Sequence, residues 1–191
     1  MVRIDEVWLD QFAVSKWLGG PLVTRRLIGQ DSGMVLQTFA DLGDYYRFTW
    51  FAVRLMPWAA RLSCSTRLAQ WALQRFEKTY PDDLRPRQAV EQALLVQREP
   101  SIAHMIAASL AVEPARIAAF AAVNDSRWHY ALRNSLSAET AAGAAKVASS
   151  DDEGQSINAT FETFMDAAGA VFSDHRKNQT QIMEYLLPQI L

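Results

Sequence analysis

The stretch from Phe76 to Ala93, FEKTYPDDLRPRQAVEQA, decides how the rest of the chain is read. It sets Pro81 and Pro86, the adjacent Asp82 and Asp83, and Arg85 and Arg87 between two apolar-periodic segments. On the N-terminal side, TRLAQWALQRFEKTY places Leu68, Ala72 and Phe76 on one face, with Ala69, Leu73 and Tyr80 on or beside it. Arg67, Gln70, Gln74 and Lys78 fall mostly elsewhere, which is the period of a helix and not of a strand. On the C-terminal side, RPRQAVEQALLVQRE repeats the pattern with Ala89, Val90, Ala93, Leu94 and Gln97. Helix ends leave backbone groups unpaired, and the intervening residues answer that need. Pro81 pushes Tyr80 away from helical backbone. Asp82 or Asp83 can accept backbone N–H groups at the positive end of the next helix, and Pro86 fits its first turn. The reading is helix, corner, helix from Leu68 to Arg98, with Arg85 or Arg87 bracing it against the aspartates, Glu77 or Glu91. This turn chemistry accounts for the corner as structure. The other reading makes the same charged corner a partner-contact surface.

Outward from the corner the pattern remains helical. PSIAHMIAASLAVE begins with Ser101, a good N-cap, and EPARIAAFAAVNDSRWHYALRNSL opens on Pro114, which a first helical turn tolerates. SAETAAGAAKVA is alanine-rich enough to be helix by propensity. Ser149 to Ser156, SSDDEGQS, has no apolar residue and reads as an exposed loop. After it, Ile157, Phe161, Phe164, Ala168 and Phe172 form one stripe, and TQIMEYLLPQIL closes the chain as a helix ending near Pro188. Before the corner, QDSGMVLQTFADLGDYYRFTWFAVRLMPW reads as two helical pieces, broken at Gly33 and Gly43 and stopped at Pro57. GGPLVTRRLIGQ reads as loop or helix. The expectation is an all-α protein of at least seven helices over residues 1–191, a single-domain multi-helix bundle or irregular helical array. The run of small alanines suits central helices whose axes approach closely.

Composition bounds the function. The 191 residues are 50% hydrophobic and 21% charged, enough apolar material for one sizeable core. A net charge of −2 carries none of the basic footprint of a nucleic-acid binder. Cys64 is the single cysteine, so no internal disulfide forms and a reducing compartment is favoured. Asp5, Glu6 and Asp10 interrupt any signal-like core, and no run of about 18 consecutive apolar residues predicts a membrane span. The expected setting is the cytoplasm, away from membrane.

Catalytic signatures are missing from the sequence: no glycine-rich phosphate loop, no nucleophile elbow, no zinc-protease helix. His104, His129 and His175 are too widely separated to predict a metal site, and no cofactor is implied. Cys64 reads as a buried or incidental thiol. Two segments compete as partner surfaces. Between Asp41 and Trp58, five aromatics (Tyr45, Tyr46, Phe48, Trp50, Phe51) cannot all face one core from a single helix. Some of them, Tyr45 and Tyr46 foremost, are expected against another element or a partner. In NDSRWHYALRN, Arg127, Trp128, His129 and Arg133 bring together residue types enriched at binding hot spots. The structural reading there places Trp128 and Leu132 on the core face and leaves Asp125 and Arg127 solvated.

The segment ALQRFEKTYPDDLRPRQAVEQALLV resembles the signature of a family of bacterial immunity proteins associated with polymorphic toxin systems. There a helix ends in a Pro-Asp-Arg-Pro-type corner and an Ala/Glu-rich helix follows. The resemblance runs from about Leu68 to Arg98, and Pro81, Asp82, Arg85, Pro86 and Ala89 carry it. It implies an all-helical protein that binds and neutralises a cognate toxin domain without catalysis. A helical adaptor or oligomerising module is the alternative, and an enzyme with a site assembled from distant residues is the third class.

Overall fold

The computed structural model of the chain describes residues 3–4, 27–125 and 128–171, with backbone alone at 128–130 and 171. Among the described residues there are seven helices and no strand. They are α1 Ser32–Asp41, α2 Tyr45–Leu55, α3 Trp58–Thr79, α4 Arg85–Arg98, α5 Ile102–Val123, α6 Trp128–Ser149 and α7 Glu153–Val171. The protein is all-α, as the periodicity predicts. Its contacts divide it into two compact units, Met1–Leu55 with Gln179–Leu191, and Met56–Asn178.

The first unit holds α1 and α2. Asp31 caps α1 by accepting the Gly33 N–H at 2.8 Å, so the chain turns before Gly33, and Gly33 belongs to the first helical turn. Gly43 does break the chain. At φ +64° it takes the left-handed conformation that favours glycine, and its N–H reaches the Ala40 carbonyl while Asp44 N–H reaches Phe39. Asp44 then starts α2 by accepting the Arg47 N–H and pairing with its guanidinium at 2.6 Å. Of the five aromatics on α2, four are buried and only Tyr46 is substantially exposed. Leu27 to Gln30 form a turn through Gly29, bonded to Ile4 on both sides. The rest of GGPLVTRRLIGQ lies outside the described residues.

The second unit is built around α6, which packs against α3, α4, α5 and α7. Its alanines Ala138, Ala141, Ala142, Ala144, Ala145 and Ala148 are all at most 1% exposed, so most of α6 is covered by these neighbours, while Leu132 is exposed and Glu139 and Lys146 are half-buried along its remaining side. Helices α6 and α7 run antiparallel in close register. A Cβ at Gly143 would fall on the Thr163 hydroxyl, and one at Gly169 would lie 2.6 Å from Leu136 Cδ1. Each helix therefore receives a side chain of the other at a glycine. Four buried hydroxyls on these two helices are met within their own helix. Ser137, Thr140, Thr160 and Thr163 donate to carbonyls four residues back at 2.7–2.8 Å.

Three sequence boundaries move. Ser101 caps α5 by accepting the His104 N–H, but the helix runs unbroken through Pro114, which therefore lies in its interior. The missing proline N–H strands the carbonyl of Leu110, a residue 73% exposed, where water can take the place of the lost bond. The break falls after Val123, and α6 joins the segments that the sequence reading divides between two helices. The α6–α7 connection is only Ser150–Asp152. Asp152 accepts the Gln155 N–H at 2.7 Å, so Glu153 to Ser156 are already helical, and Ser150 and Ser156 are buried. On α7, Ile157, Phe161 and Phe164 are buried as one stripe, whereas Phe172 and the closing TQIMEYLLPQIL lie outside the described residues.

Candidate functional site

The corner between α3 and α4 closes on itself. Asp83 accepts the Arg85 backbone N–H at 3.2 Å and holds its guanidinium through two bonds at 2.8 and 2.6 Å. Those bonds lower the Asp83 carboxyl below its ordinary value and raise Arg85. The helix begins at Arg85, one residue before Pro86, with Leu84 in the cap position, so Asp83 works from just outside the helix. Arg87 pairs with Glu77 at 2.6 Å across the corner. Tyr80 packs on Phe76 with ring centroids 5.1 Å apart and donates its hydroxyl to Asp125 at 2.8 Å. Asp125 is thus engaged by Tyr80, where the sequence reading leaves it solvated. Pro81 and Asp82 sit in the exposed turn.

The aromatic candidates separate. Tyr45 is 3% exposed, and burial pushes its phenol pKa up, so it offers no contact surface; Tyr46 does, at 38%. Arg133 is half-buried on α6. Leu132 is 44% exposed, which corrects its placement on the core face. Arg127 and His175 lie outside the described residues, as do the side chains of Trp128 and His129. Cys64 is buried at 1%.

The surface that stands out is one that the sequence reading passed over. Helix α5 turns Ala108, Ala115, Ala118, Ala119 and Ala122 inward. Its outer face carries Ile102, Ile106, Leu110, Ile117 and Phe120, each 50–78% exposed. Steps of three, four and seven residues keep them on one side of the helix. From Ile102 to Phe120 the stripe extends about 27 Å. Glu113 is exposed on the same face, and Arg116, beside it, lies 3.8 Å from Glu139 of α6. By length and composition this 22-residue helix is apolar enough to cross a membrane, and 28% of its most apolar window is buried. The signal was present in the sequence, but alanine on the inner face made both faces apolar. Periodicity then does not say which face turns outward.

A second feature of the same unit is a cavity of about 500 Å³ beside the start of α3 and the α6–α7 connection. Arg61 lines it and is 2% exposed. Its Nε and Nη1 find no hydrogen-bond acceptor. Glu153, with a side chain 77% exposed, stands 3.7 Å away, too far for a hydrogen bond. Burial lowers the Arg61 pKa and the Glu153 charge opposes that shift. Arg61 falls on the same helical stripe as Ser65, Leu68, Ala72 and Phe76, so periodicity marks it for burial. No protein-family model matches the chain, and neither a curated protein nor a solved structure does.

Proposed function

We propose that this chain is a non-catalytic helical binding protein that docks a partner domain on the outer face of α5. The observation that carries this reading is the exposed stripe Ile102, Ile106, Leu110, Ile117 and Phe120. Contiguous apolar surface of this kind marks interaction sites, and large apolar anchors inside a polar rim are how protein interfaces are built. Glu113 sets the chemistry of the partner: an apolar helix or ridge with a lysine or arginine placed to meet that carboxylate. The same residue argues against lipid, where an unpaired carboxylate at the centre of the contact is expensive. The partner is a bacterial toxin domain, and the support for this is the resemblance of the Tyr80–Ala93 corner to immunity proteins. In this reading the corner is scaffold, because Asp83, Arg85, Arg87 and Glu77 are spent on one another, and α5 is the contact.

The test is co-expression in a sensitive bacterium with the toxin domain encoded beside this gene, together with binding of the purified pair. Wild-type protein is expected to protect the cell and to form a complex at micromolar concentration. Leu110→Glu is expected to weaken the complex by about 30-fold, or ~2 kcal/mol, with no change in melting temperature. Vesicles of phosphatidylglycerol and phosphatidylethanolamine are expected to leave the protein in the supernatant; cosedimentation lost in Leu110→Glu would make α5 a membrane face. Unaltered binding by Leu110→Glu with Phe120→Asp would remove α5 as the contact. Killing despite soluble wild-type protein, with no complex formed, would remove the toxin and leave the adaptor.

A further inference from the structure

The cavity at the start of α3 combines three kinds of surface. Pro57, Trp58, Pro100 and Met105 supply apolar walls. The Trp58 ring is held in place by its N–H, which donates to the Val147 carbonyl at 3.2 Å. Asp151, Asp152 and Glu153 supply a carboxylate rim, all three exposed. Between walls and rim lies Arg61, almost wholly buried and short of acceptors.

A buried guanidinium is tolerable when its planar fork is met by a carboxylate or similar oxyanion. Within 4 Å of Arg61, among the described residues, only Glu153 provides one, and at 3.7 Å it does not close the bond. Glu153 is the first residue of α7 and its side chain reaches into solvent, so it can swing aside without disturbing the helix. A ligand anion would then take the place that Glu153 half occupies. A simple anion such as phosphate does not suit the site, because three carboxylates line the cavity against one guanidinium. A simple cation does not suit it either, because it leaves Arg61 without acceptors. The charges are matched by a molecule bearing both: a carboxylate for Arg61, an ammonium for the Asp151–Asp152 rim, and an apolar body for Trp58 and Met105. The volume is within the range of small-ligand pockets.

We propose that this cavity binds a small zwitterion of the α-amino-acid class with an apolar or aromatic side chain. The site is separate from the α5 face and stands or falls independently of the toxin-binding reading.

The experiment uses the full chain, with L-phenylalanine as probe beside N-acetyl-L-phenylalanine, which lacks the ammonium, and L-phenylalanine methyl ester, which lacks the carboxylate. Binding is read by calorimetry and by the indole N–H resonance of Trp58, identified by its loss in Trp58→Phe. The free amino acid is expected to shift that resonance saturably, and each blocked form to bind at least roughly tenfold more weakly. Arg61→Lys, which keeps charge but loses the fork, is expected to weaken the amino acid and leave the ester unaffected. Asp151→Asn changes an exposed residue and so keeps the fold; it is expected to weaken the amino acid and the ester while leaving the N-acetyl form unchanged. Equal affinity for the ester and the free amino acid would overturn the proposal, because the cavity would then read only the cation. Equal affinity for the N-acetyl form would overturn it as well. So would an unmoved Trp58 resonance at about 10 mM of the free amino acid, a weaker limit than any functional site needs.

Discussion

Asp82 and Asp83 are neighbours of identical chemistry, and only one of them is engaged in the corner's bracing bonds. Asp83 accepts a backbone N–H at the start of α4 and grips Arg85, while Asp82 is exposed in the turn. Asp83→Ala is therefore expected to lower stability by about 1 kcal/mol and Asp82→Ala to leave it within error, read from urea midpoints. Because the Asp83 carboxyl is lowered in the fold, its contribution is present above about pH 4 and disappears as pH falls through the folded value. Asp166 behaves in the opposite sense. Burial, with Glu139 and Glu162 nearby, raises its pKa to about 7, and Arg116 only partly offsets them. The folded state then holds a proton that the unfolded state releases near pH 4, so stability falls as pH rises from 4 to 7 and is level above. Asp166→Asn is expected to flatten that slope and to exceed wild type by ~2 kcal/mol at pH 8, after allowance for solvent screening. The corner was legible because capping and turn chemistry are local. Asp166 was not, because two of its three charged neighbours, Glu139 and Arg116, come from other helices.

Elements were legible where one face is apolar and the other polar, as in α3 and α4. Pro114 misleads for a physical reason: proline's preference for the first turn is strong, yet an exposed carbonyl lets a long helix carry it inside. The buried Arg61 was readable from its stripe on α3, although nothing in the sequence predicted the cavity around it. Helices α6 and α7 pack on a contact that periodicity does not mark at all, the meeting of Gly143 with Thr163. Alanine at 143 improves helix propensity by about 1 kcal/mol but puts a methyl where the Thr163 side chain sits, which costs about 1–3 kcal/mol. Gly143→Ala is thus expected to destabilise the wild-type protein. In a Thr163→Ala background the same change is expected to cost less, because the hydroxyl is gone and only the close approach of the two Cβ atoms, 3.2 Å, remains to be relieved. A double-mutant cycle by chemical denaturation reads the coupling at about 1 kcal/mol or more.

At the scale of the molecule, the all-α class followed from pattern alone, whereas the face of α5 left exposed did not, since α5 is apolar on both sides. The exposed stripe gives a physical signature that needs no partner. A hydrophobic dye such as anilinonaphthalene sulfonate is expected to bind the native protein, and the double substitution Leu110→Lys and Phe120→Lys to reduce that signal several-fold. Far-UV circular dichroism is expected to stay unchanged, because both residues are at least 70% exposed. A dye signal that survives the substitutions would place the accessible apolar surface elsewhere.

The central position of α6 also has a consequence in time. A ribosome delivers α3, α4 and α5 before α6, and the helix they all pack around is complete only at Ser149, seventy residues after α3 ends at Thr79. At about 5–20 residues per second that interval is roughly 4–14 s. During it, three helices carry apolar faces with no central helix to cover them, and α5 carries a second such face that even the finished fold leaves open. The nascent chain is therefore most exposed to chaperones, and to sticking to its neighbours on the same messenger, just before α6 emerges.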